Sequence, residues 1–236
     1  MLQVLTNAIS NSQRPLTKLS AEPVMGREKA EIVLKDLLTT LGEEEPRLST
    51  LGLKANSVHR MMIISTLMMS HIPGMSLFST ALRLKYKKCT ATEMSYLTDK
   101  WNSVPHSRRL AVSYAAQLFG TIKNQACAHF STPVMLFHAT LTMWLYAALN
   151  IPPADMTVIS ERRSVVLSTL GPDDPEQFRW IESGRGCVKI PGVGNLLSSS
   201  ACPRRLLDEA ISLMRTLNHW GISRIYGQIL SALCVE

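Results

Sequence analysis

The apolar residues of this chain recur every three or four positions, and this spacing constrains the fold more than any other feature. Between residues 107 and 122 they fall on one face of a helix: Leu110, Ala111, Tyr114, Ala115, Leu118, Phe119 and Ile122. Comparable stripes run through residues 30–41, 61–72, 135–146, 206–217 and 225–233. Alternation of period two, which marks a half-buried strand, is almost absent. We therefore predict an all-α protein with a single multi-helix domain of about eight helices.

Two regions depart from this helical spacing. Residues 1–26 are polar and contain two prolines, so we predict a loosely ordered N-terminal lead before a helical domain that spans residues 27–236. Residues 154–202 read as an irregular insertion, in which closely spaced glycines and prolines imply turns. Within this insertion, Val165–Leu170 fits either one strand or a turn of helix.

Polar residues and prolines indicate where several helices begin. Thr92 and Ser107 are predicted N-caps, because hydroxyl oxygens accept hydrogen bonds from the first free N–H groups of a helix. Asp174 followed by Pro175 predicts another helix start, with the acid as cap and proline at the first helical position. Ser223 is the predicted cap of the last helix.

The composition favours a soluble intracellular protein with a substantial core. Apolar residues make up 46% of the 236 residues and charged residues 18%, which is typical of globular domains. The five cysteines are odd in number and widely spaced, with no Cys-x-x-Cys pair, so they predict free thiols in a reducing compartment. The apolar stretches Met61–Ile72 and Pro133–Ile151 are too short or too interrupted for a membrane span, and we predict that both are core helices.

The net charge of +7 does not indicate a nucleic-acid-binding surface by itself. The lysines and arginines occur in scattered pairs, such as Lys87-Lys88 and Arg162-Arg163, and never in a run of five. Such a distribution is typical of a solvated basic surface, which would also suit an acidic partner.

No motif with catalytic, cofactor-binding or metal-binding spacing is present in the sequence. Cys127 and His129 are the closest cysteine–histidine pair, and no second pair accompanies them as a zinc site requires. The glycines near Lys189 lack the register of a phosphate-binding loop, and no Gly-x-Ser-x-Gly occurs. We therefore predict no catalytic, cofactor or metal residue.

Three residues are candidates for the lining of a pocket. His138 lies on an apolar helix, where a general base would be possible in principle, although such a histidine is more often a satisfied core residue. Tyr114 and Trp144 carry polar groups on neighbouring apolar helices. A deep pocket lined by these three side chains would favour a small-molecule-binding protein.

Three patches resemble the regulatory, or middle homology, domain of fungal-specific transcription factors. MMIISTLMMSHIPGMSL (Met61–Leu77) resembles that family's apolar helix, which ends at a His/Tyr-x-Pro turn before Ser-Leu. The arginine-led helix His106–Gln125 and the following Ser131–Ala147, which ends in Leu-x-x-Trp-x-Tyr, resemble the next two helices of the family. Gly192–Leu233 resembles the closing helical pair, with a Trp-Gly turn between the two helices.

The resemblance implies a nuclear transcription-regulatory domain without a catalytic residue. Members of the family bind DNA through a cysteine-rich zinc module, which this sequence lacks, so we expect action through protein partners, a homodimer or a bound metabolite rather than direct base recognition. The alternative is a small-molecule-binding protein or a cofactor-free enzyme of fungal natural-product biosynthesis, built on the same scaffold. For the location, the cytoplasm is the alternative to the nucleus. A fragment of a larger regulator is a third interpretation.

Overall fold

The computed structural model describes residues 29–40, 56–85, 90–125, 129–149, 164–167, 171–196 and 201–234. Of these residues 79% are helical, which confirms the predicted all-α class. The described helices, in chain order, are α1 (residues 29–40), α2 (Asn56–Ser70), α3 (Ser76–Lys85), α4 (Ala91–Asn102), α5 (Pro105–Gln125), α6 (Thr132–Leu149), α7 (Pro175–Ser183), α8 (Ala201–Thr216) and α9 (Gly221–Cys234). The predicted polar lead, residues 1–26, lies outside the described residues.

Helices α5 and α6 form the centre of the described fold. Every side chain from Ala111 to Phe119 is buried, so α5 has no solvent-facing stripe along this stretch. The helix is covered by α2 and α6, with further contacts to α4 and α7. A helix that is buried all round belongs to the middle of a core rather than to its surface. The regular stripe seen in the sequence is therefore only part of the buried surface of α5.

Helix α6 combines high hydropathy with extensive burial. Thr132–Leu149 has the length and composition of a helix that could cross a membrane, yet 72% of this segment is buried in the described fold. Its neighbours are α2, α5, α8 and α9. The core helix of a globular protein passes the same length and composition test, and α6 occupies such a core position here.

Two predicted caps lie two residues away from the actual helix starts. The cap of α4 is Thr90 rather than Thr92: the Thr90 hydroxyl accepts from the Glu93 N–H at 3.2 Å, and the Glu93 carboxylate accepts from the Thr90 N–H at 2.9 Å. This reciprocal pair is a capping box. Helix α5 begins at Pro105, so Ser107 lies in its first turn and its hydroxyl is used elsewhere.

The predicted N-cap of α7, Asp174, is confirmed, and the predicted N-cap of α9, Ser223, is wrong. The Asp174 carboxylate accepts from the N–H groups of Glu176 at 2.8 Å and Gln177 at 3.2 Å, with Pro175 at the first helical position. Helix α9 already begins at Gly221, and the Ser223 hydroxyl donates back to the Leu217 carbonyl at 2.7 Å. Ser223 thus ties α9 to the turn after α8 instead of capping the helix.

The predicted irregular insertion contains a small sheet and α7 in its described part. Strands β1 (Ser164–Val166), β2 (Cys187–Ile190) and β3 (Gly194–Asn195) form a sheet in the order β1-β2-β3. β1 pairs with β2 in parallel and β2 with β3 antiparallel. Of the two interpretations of Val165–Leu170, the strand is correct for its first residues. Residues 168–170 lie outside the described residues.

Candidate functional site

A cleft of about 330 Å³ lies where α1, α2 and α5 meet the turn before α7. We call it the α1–α5 cleft. Lys35 and Arg60 contribute positive charges to its lining, and Asp173 and Asp174 contribute negative charges. Tyr114 and Gln117 of α5 are its buried members, with 3% and 2% of their surface exposed. The cleft therefore combines a buried polar floor with a rim of both signs.

Close packing shapes the floor of this cleft. Gly171, in a short 3₁₀ turn (Gly171–Asp173), has a φ of +69°, which favours glycine. A Cβ atom at this position would lie 2.5 Å from the Gln117 Oε1, far inside van der Waals contact. A side chain at residue 171 would therefore require the Gln117 amide to move, and glycine allows the turn that carries Asp173 to approach α5 without this movement.

Tyr114 is held in its neutral form at this floor. Burial raises the pKa of the Tyr114 phenol well above its usual value, and the nearby carboxylates of Glu31 and Asp173 raise it further. Its ring stacks on His71 with centroids 5.9 Å apart and planes 9° from parallel. No other described side chain forms a hydrogen bond with its hydroxyl, so this group can serve a ligand as donor or acceptor.

The other two predicted pocket residues lie away from this cleft. The His138 ring stacks on Phe78 with centroids 5.5 Å apart, and burial lowers the pKa of His138, which favours the neutral imidazole. Trp144 is partly buried against the core, six positions further along α6 and thus on a different face of that helix. The structure does not bring the three residues together, and Tyr114 is the one that lines the α1–α5 cleft.

A second group of polar side chains, Glu31, His71 and Ser107, lies beside this cleft. His71, directly after α2, is 8% exposed; its Nε2 lies 3.3 Å from the Glu31 carboxylate, and its Nδ1 lies 3.1 Å from the Ser107 hydroxyl. The Glu31 contact is close enough for an ion pair, but it lacks the direction of a straight hydrogen bond. We call these three residues the Glu31–His71–Ser107 network.

The charge state of Glu31 follows from its neighbours. The close approach of the His71 ring lowers the pKa of the Glu31 carboxyl to about 2, while partial burial opposes the shift. Lys35, one helical turn away with its ammonium 3.0 Å from Oε1, lowers the pKa further. Glu31 is therefore fully ionised at neutral pH.

The Glu31–His71–Ser107 network borders a second, smaller cleft of about 110 Å³. His71 and Ser107 line one part of it, and Trp101, Ser103 and Arg108 line others. The Arg108 guanidinium hydrogen-bonds to the Asn102 side chain and lies over the Tyr146 ring, 5.5 Å from its centroid. The positive charge of Arg108 is thus held in place beside this cleft.

Sequence reasoning missed most of these residues because their partners are distant in the chain. Thirty-six residues separate His71 from Ser107, and each looked like a helix-end residue with a local role. The sequence around Ser107 contained one weak indication of a different role. Pro105 can itself open the helix, and a serine two positions later is then not needed as a cap. Lys35, Arg60 and Asp173 carried no signal that separates them from ordinary surface charges.

The described residues contain no group of three or more His, Cys, Asp or Glu side chains that could hold a metal ion. Cys127, of the Cys127–His129 pair, lies outside the described residues. Among the described residues, Cys187 and Cys234 carry thiols and are not part of a disulfide.

No family model matches the chain, and comparisons with curated proteins and with solved structures found no significant match.

Proposed function

We propose that this chain is a transcription-regulator-like helical domain that responds to a small polar molecule bound in the α1–α5 cleft. The observation that supports this proposal is the composition of the cleft: a neutral phenol at the floor, two cations from α1 and α2, and two carboxylates from the turn before α7. A ligand that bridges such elements stabilises one arrangement of them, and a partner protein can sense that arrangement.

The size and charges of the cleft favour a particular class of ligand. A volume of about 330 Å³ holds roughly ten non-hydrogen atoms, at about 30 Å³ for each water-sized group. Arg60 and Lys35 suit a carboxylate or phosphate group, whereas Asp173 and Tyr114 suit a hydroxyl or an amine. The proposed ligand is therefore a small metabolite with an anionic group and at least one hydrogen-bond donor.

The proposed output passes through protein partners in the nucleus rather than through direct base recognition. The net charge of +7 is spread over scattered pairs, which gives an electrostatic surface for acidic partners without a continuous phosphate-tracking stripe. The resemblance to fungal regulatory domains motivates this part of the proposal.

A ligand screen on the intact chain tests the proposal. Small carboxylates, phosphates and amino acids are added to the wild-type chain and to two variants, and the midpoint of thermal unfolding is measured. Arg60→Gln removes a cleft charge, and Arg205→Gln removes an exposed charge on α8. We expect at least one compound to raise the midpoint of the wild type and of Arg205→Gln, and not that of Arg60→Gln. An equal rise in all three proteins would place the ligand elsewhere, and no rise with any compound would count against a sensing role.

The alternative proposal is that the cleft belongs to a binding protein or cofactor-free enzyme of natural-product biosynthesis. The same buried phenol supports it, because a neutral tyrosine hydroxyl can position a bound substrate by hydrogen bonding. The two proposals differ in the fate of the ligand: a sensor releases it unchanged, and an enzyme releases a product. Mass spectrometry of each hit after incubation with the protein distinguishes them.

A further inference from the structure

The Glu31–His71–Ser107 network joins three chemically distinct groups in series. A carboxylate from α1 contacts one ring nitrogen of His71 at 3.3 Å, and the other ring nitrogen contacts a serine hydroxyl in the first turn of α5 at 3.1 Å. A nucleophile within hydrogen-bond reach of a base, with the base oriented by a third group, is the arrangement that activates a serine. His71 and Ser107 line the smaller cleft, so the proposal does not require a ligand in the α1–α5 cleft, although His71 also stacks on Tyr114 of that cleft.

The ionised carboxylate determines which nitrogen of His71 carries the proton. Glu31 faces Nε2, and an anion at this distance favours the tautomer with its N–H on Nε2. The lone pair of Nδ1 then faces the Ser107 hydroxyl and can accept its proton. The competing acceptor for that hydroxyl is the His71 carbonyl oxygen, which is more distant at 3.4 Å.

The first turn of α5 supplies a setting for developing negative charge. The Arg108 N–H is bonded to the Val104 carbonyl, so the N–H groups of His106 and Ser107 precede the first helical hydrogen bond. Val104 has no side-chain oxygen to cap them. Free N–H groups at a helix N-terminus favour an anion, and the Arg108 guanidinium adds a positive charge at the same cleft.

We propose that Ser107 is a nucleophile that accepts an acyl group from a small ester or thioester, with His71 as general base and Glu31 as the positioning carboxylate. The cleft beside Ser107 is small, at about 110 Å³, which favours a short acyl group such as acetyl or propionyl.

The reaction is a balanced acyl transfer. The Ser107 oxygen attacks the carbonyl carbon while its proton passes to His71 Nδ1, and the carbonyl becomes a tetrahedral oxyanion. The oxyanion then collapses, the bond to the alcohol or thiol breaks, and His71 returns the proton to the leaving group. Water attacks the acyl-serine by the same route in reverse, with His71 taking the water proton, and releases a carboxylic acid.

Covalent labelling of the intact chain tests the proposal. The protein is incubated with p-nitrophenyl acetate, or with a fluorophosphonate that leaves a stable adduct, and the modified residue is located by peptide mass spectrometry. We expect the adduct on Ser107, and we expect Ser107→Ala to abolish it. Ser79→Ala is the control, because Ser79 is an exposed helix serine outside the cleft whose hydroxyl donates to the Ser76 carbonyl instead of to a histidine. This control retains the adduct.

Glu31→Gln separates a positioning role from a structural one. The variant should slow acylation of Ser107 at least about tenfold. Circular dichroism shows whether this variant and Ser107→Ala keep the helical content of the wild type. An adduct on other residues only, labelling that Ser107→Ala leaves unchanged, or an acylation rate that Glu31→Gln does not alter would each overturn the proposal. If Glu31→Gln loses its helical content, the comparison of Ser107→Ala with Ser79→Ala decides.

Discussion

Among the single residues, Glu31 has a carboxyl pKa that depends strongly on the fold. Contact with His71 lowers the pKa of its carboxyl from 4.5 to about 2, so ionised Glu31 stabilises the folded state. A group whose pKa is depressed by folding contributes stability above its unfolded value and loses it as the pH falls towards the folded value. The window for this loss therefore runs from pH 4.5 down to about 2.

Glu31→Gln is expected to remove this pH-dependent component. At pH 7 the variant should be less stable by about 1–2 kcal/mol, after allowance for solvent screening. Between pH 4.5 and about 2 the gap to the wild type should close. Urea unfolding at a series of pH values measures both effects, and parallel stability curves for the two proteins would contradict the assignment.

Tyr114→Phe tests the hydroxyl at the floor of the α1–α5 cleft. The ring that stacks on His71 is retained, so the free energy of unfolding should change by less than about 1 kcal/mol. Binding of a screened ligand should weaken, because the cleft loses a hydrogen-bonding group. Tyr226→Phe is the matched control, because Tyr226 lies in α9, stacks on Phe137 and does not line the α1–α5 cleft. Equal affinities for the two variants would show that the Tyr114 hydroxyl does not contact the ligand.

At the scale of single elements, the start of α4 distinguishes the sequence-based cap from the structural one. Thr90 forms both hydrogen bonds of the capping box, whereas Thr92 is exposed within the first turn. Thr90→Ala should therefore cost about 1 kcal/mol, and Thr92→Ala should stay within about 0.5 kcal/mol of the wild type. Chemical denaturation of both variants measures the difference, and a larger loss for Thr92→Ala would move the cap back to the position expected from sequence.

The helices could be predicted from sequence, and their junctions only in part. Periodicity locates α5 and α6 because burial of one face repeats with the helical turn. Asp174 was identifiable as a cap because Pro175 follows it, whereas Thr90 and Thr92 differ only in which one has Glu93 three residues later. The sheet was hard to predict from the sequence pattern, because β1 is only three residues long and its partner β2 follows after α7.

The candidate sites were hard to predict for a related reason. The α1–α5 cleft and the Glu31–His71–Ser107 network are each assembled from separate segments, and their members look like surface charges or caps when read locally. Tyr114 was found because a hydroxyl on an apolar stripe is conspicuous. His138 was conspicuous for the same reason, but the fold places it in an aromatic stack with Phe78.

At the scale of the whole molecule, α6 should control the stability of the described helices together. Leu141 is fully buried in the core, so Leu141→Ala should lower the free energy of unfolding by about 2–5 kcal/mol. Because α6 contacts helices from both halves of the chain, we expect circular dichroism and tryptophan fluorescence to report one coincident transition in the wild type and in the variant. Two separate transitions would indicate independently folding units instead of the single domain predicted over residues 27–236.

The regulatory proposal is tested most directly by transcript profiling in the native host. The gene is deleted and then restored as the wild type or as Arg60→Gln, with metabolites and protein abundance measured in the same cultures. We expect that deletion changes a defined set of transcripts, that the wild type restores them, and that Arg60→Gln at equal abundance does not. Unchanged transcripts, together with loss of one metabolite and accumulation of its precursor, would contradict the account and establish that the protein acts on the molecule itself.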